Sequence, residues 1–186
     1  GSYIKSVHYA DKALGEFING LEKEGLLDNT VLIIYGDHDA KIKKSQFEYF
    51  YNYDRQTGKV IEKDSIDYKV IDDIDYELLR SVPFIIYSKD IEPKVISKVS
   101  SMLDTFPTIA NMFGFETKYT LGSDIFDDSD NIVVFPNGNW LTDKMYYDTK
   151  RDSFKALEDK LVVKNDYIEQ NNLIAQNKIN ISNYII

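Results

Sequence analysis

Apolar residues in the first part of the chain follow two different periods. Between residues 6 and 24 they recur at spacings of three and four, which places them on one stripe of an amphipathic helix. Gly25 stands where such a helix ends. Residues 30–35 (TVLIIY) form instead an unbroken, β-branched apolar run closed by Gly36, which is typical of a central strand buried on both faces of a parallel sheet. A helix, a short connection and a buried strand predict an α/β fold.

The rest of the pattern predicts a second buried strand, further helices and a small antiparallel element. Residues 82–87 have the pattern of a buried strand, and residues 94–100 that of a short strand or extended edge. The polar, acidic residues 54–76 are expected to form an insertion or long loop. A strand at residues 131–135 and the segment 140–149 are expected to pair as an antiparallel hairpin. Helices are expected at residues 44–53, 104–113, 153–160 and 165–177.

Composition narrows the choice of function by exclusion. The 186 residues carry 22 basic and 31 acidic side chains, a net charge of −9, so a nucleic acid is excluded as a partner because its binding needs a basic face. The absence of cysteine excludes disulfide scaffolds, thiol nucleophiles and cysteine-ligated metals. No apolar run approaches the roughly 20 residues that a membrane-spanning helix needs. Residues 1–2 (GS) resemble a remnant of expression, so we expect a segment cut from a longer protein.

Candidate metal-ligating residues follow the strand at residues 30–35 directly. Asp37 offers a hard anionic oxygen, and His38 beside it offers a neutral imidazole nitrogen. Ligands of open α/β sheets bind beyond the carboxyl ends of the strands, which is where this pair is predicted to lie. Asp and His together suit a divalent ion such as Zn²⁺ or Mn²⁺. The alternative is a turn capped by Asp37, because two adjacent ligands do not by themselves define a site.

Three other features each have two interpretations. His8 lies beside the apolar stripe of the first helix, where a surface position is a simpler interpretation than a role in a site. Acidic residues cluster at 64–77 and 124–130, but without the spacing and central glycine of a calcium loop, so solvated acidic segments are expected. An aromatic cluster is either a stacking platform for a sugar or base, or a face packed beneath the following loop, which is the simpler interpretation. Its members are Tyr49, Phe50, Tyr51 and Tyr53.

The order of these segments resembles the carboxyl-terminal half of the sulfatase/alkaline-phosphatase superfamily, in particular the lipoteichoic acid synthase, or phosphoglycerol transferase, family of Gram-positive bacteria. The similarity extends from about residue 3 to residue 147. It is carried by residues 8–17 (HYADKALGEF), 28–38 (DNTVLIIYGDH), 81–87 (SVPFIIY), 104–109 (DTFPTI) and 121–126 (LGSDIF). After the Gly-Asp-His element the family usually continues with Tyr-Gly, whereas this chain has Asp39 and Ala40, which leaves the identity of the substrate open.

The resemblance implies an alkaline-phosphatase-like α/β fold. The expected sheet is mixed and mostly parallel, flanked by helices, with a small C-terminal antiparallel element, and it is incomplete because the upstream half lies outside the chain. Residues 3–186 would be the C-terminal part of the catalytic domain of a metal-dependent phosphoglycerol transferase that uses a covalent threonine intermediate. The alternatives are a sulfatase or phosphodiesterase-type hydrolase of the same superfamily, and a non-catalytic binding module with the same fold.

The resemblance also implies a site and its surroundings. Asp37 and His38 match the family's metal ligands for a divalent ion, Mn²⁺ first and Mg²⁺ or Zn²⁺ as alternatives. The nucleophile and a glutamate ligand would lie upstream, so this segment alone is expected to be inactive and its site can be empty. The implied partners are the missing N-terminal half, a lipid-linked glycerophosphate or other anionic ester, and a second copy bound through the uncovered surface. The implied location is the extracellular face of a bacterial membrane, with anchoring helices upstream.

Overall fold

The computed structural model describes residues 2–158 and 161–185, which divide into two compact units. The first unit contains the described residues of Gly1–Asp39 and Ser81–Lys94. The second unit contains those of Ala40–Arg80 and Val95–Ile186. Each unit is described separately below.

The first unit consists of one long helix and a two-stranded sheet. Helix α1 (Ser2–Lys23) begins four residues earlier than predicted, and it ends before Gly25, whose φ of +67° lies in the left-handed region. Strand β1 (Leu32–Tyr35) pairs with the later strand β4 (Phe84–Tyr87). Both predicted strands are therefore present, although each is shorter than its apolar run.

The direction of these strands differs from the prediction. Strands β1 and β4 are antiparallel, and so is every other strand pair among the described residues, whereas a mostly parallel sheet was expected. In a two-stranded sheet β1 is also not central, and Tyr35 at its end is half exposed. An unbroken apolar run indicates that both faces of a strand can be covered, but it carries no information on the direction of the neighbouring strand.

The apolar stripe of α1 is open to solvent over most of its length. Every residue from 3 to 14 is exposed, and Phe17 is more than half exposed. Only Ile18 and Leu21, near the end of the helix, are partly buried among the large apolar residues of the stripe. The expected packing of this stripe on a sheet face is therefore absent from the first three turns of the described helix.

The second unit begins with two short helices and a hairpin between them. Helix α2 (Lys44–Tyr51) is followed by a short hairpin of β2 (Tyr53–Asp54) and β3 (Lys59–Val60), and then by helix α3 (Asp73–Leu79). Gly58 supplies the positive φ, +69°, that the hairpin turn requires. Residues 54–76 were expected as an insertion or long loop, and residues 61–72 do form a loop, but the hairpin and the start of α3 were not predicted. The short helix has too few residues for a clear apolar period.

A four-stranded antiparallel sheet follows, and it confirms the predicted C-terminal antiparallel element. Its strands, in spatial order, are β5 (Val133–Val134), β6 (Trp140–Leu141), β7 (Met145–Asp148) and β8 (Ser153–Ala156). The helix expected at residues 153–160 is wrong for residues 153–156, which form β8, while residues 159–160 lie outside the described part. The turn before β8 has no glycine: Asp152 itself adopts a φ of +48°.

The core of the second unit lies between this sheet and helix α5 (Asn165–Ile185), which is longer than predicted. Trp140 is fully buried and stacks on Tyr147 with 5.0 Å between ring centroids. Its indole Nε1 donates a 2.8 Å hydrogen bond to Oδ1 of Asn172 on α5. This one side chain therefore joins the sheet to the helix by both packing and hydrogen bonding.

A buried carboxylate connects three loops ahead of helix α4 (Thr105–Met112). Asp104 ends a 3-10 turn, and it accepts hydrogen bonds from the backbone N–H groups of Ser101 at 2.6 Å and Ser123 at 2.7 Å. The side-chain amide of Asn131 donates a third, at 3.1 Å. Residues 94–100, expected as a short strand or extended edge, contain no strand in the described structure.

Candidate metal centre

The candidate site begins where β1 ends, because the chain turns sharply there. The Gly36 N–H donates a 3.1 Å hydrogen bond to the carbonyl of Pro83, just before β4. A Cβ on Gly36 would lie only 2.8 Å from Cβ of Val82. Glycine is therefore required by this close approach, and it releases the next residues from the sheet at the carboxyl end of β1.

Asp37 and His38 lie together in this loop, as predicted. Their side chains are 85% and 62% exposed, and Nε2 of His38 is 3.8 Å from Oδ1 of Asp37. On the other side of the ring, Nδ1 of His38 lies 2.7 Å from the backbone carbonyl oxygen of Asp39. A carbonyl only accepts hydrogen bonds, so Nδ1 carries the proton and the neutral ring keeps its lone pair on Nε2, the nitrogen nearer to Asp37.

This arrangement fits a divalent metal ion in chemistry and in spacing. An ion bound tetrahedrally at about 2.1 Å to both atoms would hold them about 3.4 Å apart, a few tenths of an ångström less than the observed 3.8 Å. A hydrogen bond from the second ring nitrogen to a carbonyl is also how metal-binding histidines are usually oriented. Within residues 2–158 and 161–185 no cluster of three or more metal-binding side chains occurs. Within these ranges the pair could therefore offer a metal ion two side-chain ligands.

Three acidic residues of the 64–77 cluster form ion pairs with lysine or arginine side chains, although all three stay partly exposed. Lys155 on β8 contacts Asp72 at 3.0 Å and Asp75 at 2.8 Å. Asp73 is held by Lys44 at 2.7 Å and Arg151 at 3.2 Å. These contacts stabilise the first turn of α3, so these three carboxylates have a structural role.

Hydrogen bonding and charge shift the pKa values of these groups. The pKa of Asp72 is lowered, first by the backbone N–H of Asp75 and then by Lys155. The pKa of Asp73 is lowered by its hydrogen bonds to Lys44 and Arg151, and the pKa of Lys155 is raised, chiefly by Asp75. The ionised forms are therefore favoured in the folded state.

The acidic cluster at residues 124–130 makes hydrogen bonds within the fold, and His8 lies at the surface. The side-chain amide of Asn111 donates a hydrogen bond to Asp124, and Lys98 donates to the backbone carbonyls of Asp124 and Asp127. His8 is exposed on α1, in agreement with the surface interpretation. Sequence reasoning missed the Asp39 carbonyl, since a backbone acceptor has no residue-type signal.

The chain is similar to a known family and to several known proteins. The family model described as Sulfatase matches residues 1–115. The chain is 32% identical over 158 residues to lipoteichoic acid synthase 2 of Bacillus subtilis, covering 80% of this chain and 22% of that protein. It is 32% identical over 148 residues to the lipoteichoic acid synthase of Staphylococcus aureus, covering 78% and 21%. The chain therefore spans about a fifth of the length of these relatives.

The fold follows from a solved structure, and the family follows from the extent of the Sulfatase match. A solved structure of a protein in the alkaline phosphatase superfamily from Vibrio parahaemolyticus superposes with a TM-score of 0.56 at 19% identity, covering 95% of this chain and 41% of that one. Among the described helices, none has the length and apolar character needed to cross a bilayer. The Sulfatase match covers more than half of the sequence and includes both Asp37 and His38. The chain belongs to the Sulfatase family and has a fold of the alkaline phosphatase superfamily.

Proposed function

We propose that this chain is the carboxyl-terminal part of the catalytic domain of a metal-dependent phosphoglycerol transferase similar to the lipoteichoic acid synthases. The observation that carries the proposal is the pairing of Asp37 with His38 at the carboxyl end of β1, with Nδ1 of His38 hydrogen-bonded to the Asp39 carbonyl. The similarity to two lipoteichoic acid synthases over about four fifths of the chain supports the choice of reaction.

In this proposal Asp37 and His38 hold the metal through one carboxylate oxygen and Nε2. A divalent ion, Mn²⁺ first and Mg²⁺ or Zn²⁺ as alternatives, neutralises the charge of a phosphate ester and acidifies a nucleophilic hydroxyl. The Asp37 carboxylate supplies negative charge to the site, and the Asp39 carbonyl keeps the lone pair of His38 on Nε2. The threonine nucleophile and the remaining ligand would come from residues outside this chain.

The substrate class in this proposal is an anionic ester, a lipid-linked glycerophosphate first. A chain of net charge −9 repels a phosphodiester in solution, so the metal-binding pair is the natural place for its phosphate. We place the reaction at the extracellular face of a bacterial membrane, where such lipids are accessible. A hydrolase of the same superfamily would use the same two ligands, and a binding module would have the fold without turnover.

The exposed stripe of α1 and the small size of the two-stranded sheet support the proposal that another part of the domain covers this unit. Apolar helix residues are normally covered in a folded domain, yet residues 3–14 are all exposed. The superposed alkaline-phosphatase-superfamily chain is more than twice the length that this one covers. We propose that an upstream half of the domain covers this surface, and that the chain alone has no turnover.

Metal content and product analysis test the proposal together. The complete catalytic domain is purified as wild type, Asp37→Ala, His38→Ala and, as a control on α1, His8→Ala. We expect bound Mn²⁺ and transfer of glycerophosphate from phosphatidylglycerol in the wild type and the control, with both lost in the other two variants. Release of free glycerophosphate without transfer would favour the hydrolase, and equal metal in all four proteins would refute the site.

A further inference from the structure

Helix α5 has a second apolar side, which the described part of the chain leaves open. One side packs on the four-stranded sheet through the buried Ala175. On the other side Leu173 and Ile181 are 64% and 50% exposed, and Tyr184 is 91% exposed. Asn177 in their midst lies about 160° around the helix from Ala175, so the two sides are distinct. We call this line of exposed residues the outer stripe of α5, and its members are Gln170, Leu173, Asn177, Ile181 and Tyr184.

The spacing of the outer stripe is symmetric about Asn177, because its successive intervals are three, four, four and three residues. In an antiparallel pair of α5 helices with a two-fold axis at Asn177, Leu173 of one copy would meet Ile181 of the other. Gln170 would likewise meet Tyr184, an amide against a phenol hydroxyl. The stripe is therefore complementary to a second copy of itself, which is the condition for an isologous interface.

The outer stripe is also uncharged, although the protein is acidic. A net charge of −9 makes two copies repel each other. Lys178 is the one charged residue between positions 170 and 184, and its ammonium lies on the packed side, 3.3 Å from the carbonyl oxygen of Ile132. The acidic residues of the helix, Asp166 and Glu169, stand about 12 Å or more along the axis from the centre of the stripe. Two copies can therefore meet along this stripe without placing the carboxylates of α5 against each other.

The aromatic cluster at the end of α2 is also about half exposed, so its expected packing beneath the following loop is incomplete. It differs from the outer stripe in having charged neighbours, Arg55 and Lys59, and in the 72° angle between two of its rings. Only α5 therefore combines exposed apolar side chains with an uncharged, symmetric line. The members of the aromatic cluster are Tyr49, Phe50, Tyr51 and Tyr53.

Asn177 gives such a contact a defined register. Its side chain is exposed and forms no hydrogen bond within residues 2–158 and 161–185. On a two-fold axis its amide can donate to the amide oxygen of the second copy, and a polar residue at the centre of a helix pair fixes the register. Two outer stripes together offer on the order of 1,000 Å² of surface, the size of a weak interface. We propose that two copies of this chain associate through the outer stripe of α5, antiparallel and centred on Asn177.

Lysine substitutions on α5 test this proposal in the 186-residue chain. All proteins carry Val7→Ser/Phe17→Ser, so that the exposed stripe of α1 does not contribute. We expect sedimentation equilibrium to give a dimer with a Kd of about 0.1 mM or below. Asn177→Lys places two ammonium groups against each other on the axis and should raise this Kd about tenfold or more. Gln176→Lys is the matched control, because the same charge stands at an exposed position about 100° around the helix and should leave the Kd unchanged.

A single cysteine locates the axis independently. The sequence has no cysteine, so a disulfide in Asn177→Cys can form only between two copies. A residue on a two-fold axis faces its own counterpart, so oxidation should produce the dimer about tenfold faster or more in Asn177→Cys than in Gln176→Cys.

The proposal is overturned if the two cysteine variants oxidise at the same rate, or if the two lysine variants have the same Kd. A chain that stays monomeric also overturns it. If that monomer binds phosphatidylglycerol vesicles and Leu173→Ser/Ile181→Ser abolishes the binding, the outer stripe meets a lipid surface instead of a second copy.

Discussion

The backbone carbonyl of Asp39 accepts a 2.7 Å hydrogen bond from Nδ1 of His38. Because this bond leaves the lone pair of the neutral ring on Nε2, His38 is prepared for a metal ion without rearrangement of the ring. The Asp37 carboxylate completes a two-ligand arrangement 3.8 Å away. The loop itself therefore sets the geometry of the two residues that we propose as metal ligands.

The isolated chain should bind Mn²⁺ weakly through this pair. Two protein ligands hold an ion less tightly than the complete set of a structural site, so we expect a Kd of about 1 mM, measured by the Mn²⁺ electron paramagnetic resonance signal. Asp37→Ala and His38→Ala should abolish binding, whereas Asp11→Ala on α1 should not. Both ligands are exposed, so the free energy of unfolding should change by less than about 0.5 kcal/mol. Undiminished Mn²⁺ binding in the two variants would show that the pair is only a turn.

The position of the candidate site could be predicted because the residues that indicate it are neighbours in the sequence. The apolar run, Gly36 and the adjacent Asp37 and His38 all lie within nine residues, so the position of the pair at a strand end follows from the pattern. The Asp39 carbonyl has no such signal, because every residue carries the same backbone acceptor. The antiparallel direction of β1 and β4 was not predictable for a similar reason. The partner of β1 lies about fifty residues away, and the apolar residues of β1 are compatible with either orientation.

Two features of the second unit depend on contacts that the sequence pattern does not display. Ser153–Ala156 was expected to be helical, but cross-strand pairing with β7 decides its state. Asp104 was expected only as the first residue of the helix at 104–113, whereas its carboxylate joins loops that lie 19 and 27 residues further along the chain. Pairing within a hairpin and a polar network between loops thus account for these two differences from the predictions.

Removal of the Asp104 carboxylate should destabilise the second unit strongly. Asp104→Ala leaves the partly buried N–H groups of Ser101 and Ser123 and the amide of Asn131 without their acceptor, at a cost of about 3 kcal/mol. The fluorescence of Trp140, the only tryptophan in the sequence, reports urea unfolding of this unit. Asp128→Ala, at an exposed position nearby, is the matched control and should change the free energy of unfolding by less than about 0.5 kcal/mol. Equal effects of the two substitutions would contradict the role of Asp104.

Gly122 should not tolerate a side chain, although its backbone is not in the left-handed region. A Cβ there would lie 2.0 Å from the carbonyl oxygen of Leu103 and 2.7 Å from the backbone nitrogen of Asp104. Gly122→Ala must therefore move the backbone that presents Ser123 to Asp104, and we expect a loss of about 3 kcal/mol or more in urea unfolding. Gly114→Ala meets no neighbouring atom within 4 Å and carries only the strain of its φ of +72°, about 1 kcal/mol. A tolerated Gly122→Ala would show that this loop is not closely packed.

The ion pairs between α3 and β8 should make stability depend on pH at the acidic end. The pKa values of Asp72 and Asp73 are lowered from the ordinary 3.8, so their contribution is fully present above that value and is lost as the pH falls through the lowered pKa values. The pKa of Lys155 is raised from 10.5, so its contribution is constant across neutral pH and is lost only at strongly alkaline pH.

The substitution Lys155→Met tests this pH dependence. It removes the partner of Asp72 and Asp75, so the variant should lose less stability than the wild type between pH 5 and pH 3, followed by Trp140 fluorescence in urea. At pH 7 the cost should be no more than about 1 kcal/mol, because the paired groups are partly exposed. Lys59→Met, on the exposed strand β3, should follow the wild-type pH profile. Identical profiles for all three proteins would exclude the proposed contribution.

The exposed stripe of α1 should cause the isolated chain to associate reversibly. Val7 and Phe17 are about half exposed, and apolar surface of this kind is covered by association when no other segment covers it. We expect the sedimentation coefficient to rise with protein concentration, and to rise much less in the double variant Val7→Ser/Phe17→Ser. Tyr119→Ser, which removes an isolated exposed ring, should behave as the wild type because a single side chain offers too little apolar area. A wild-type chain that sediments as a monomer at every concentration would show that this stripe does not drive association.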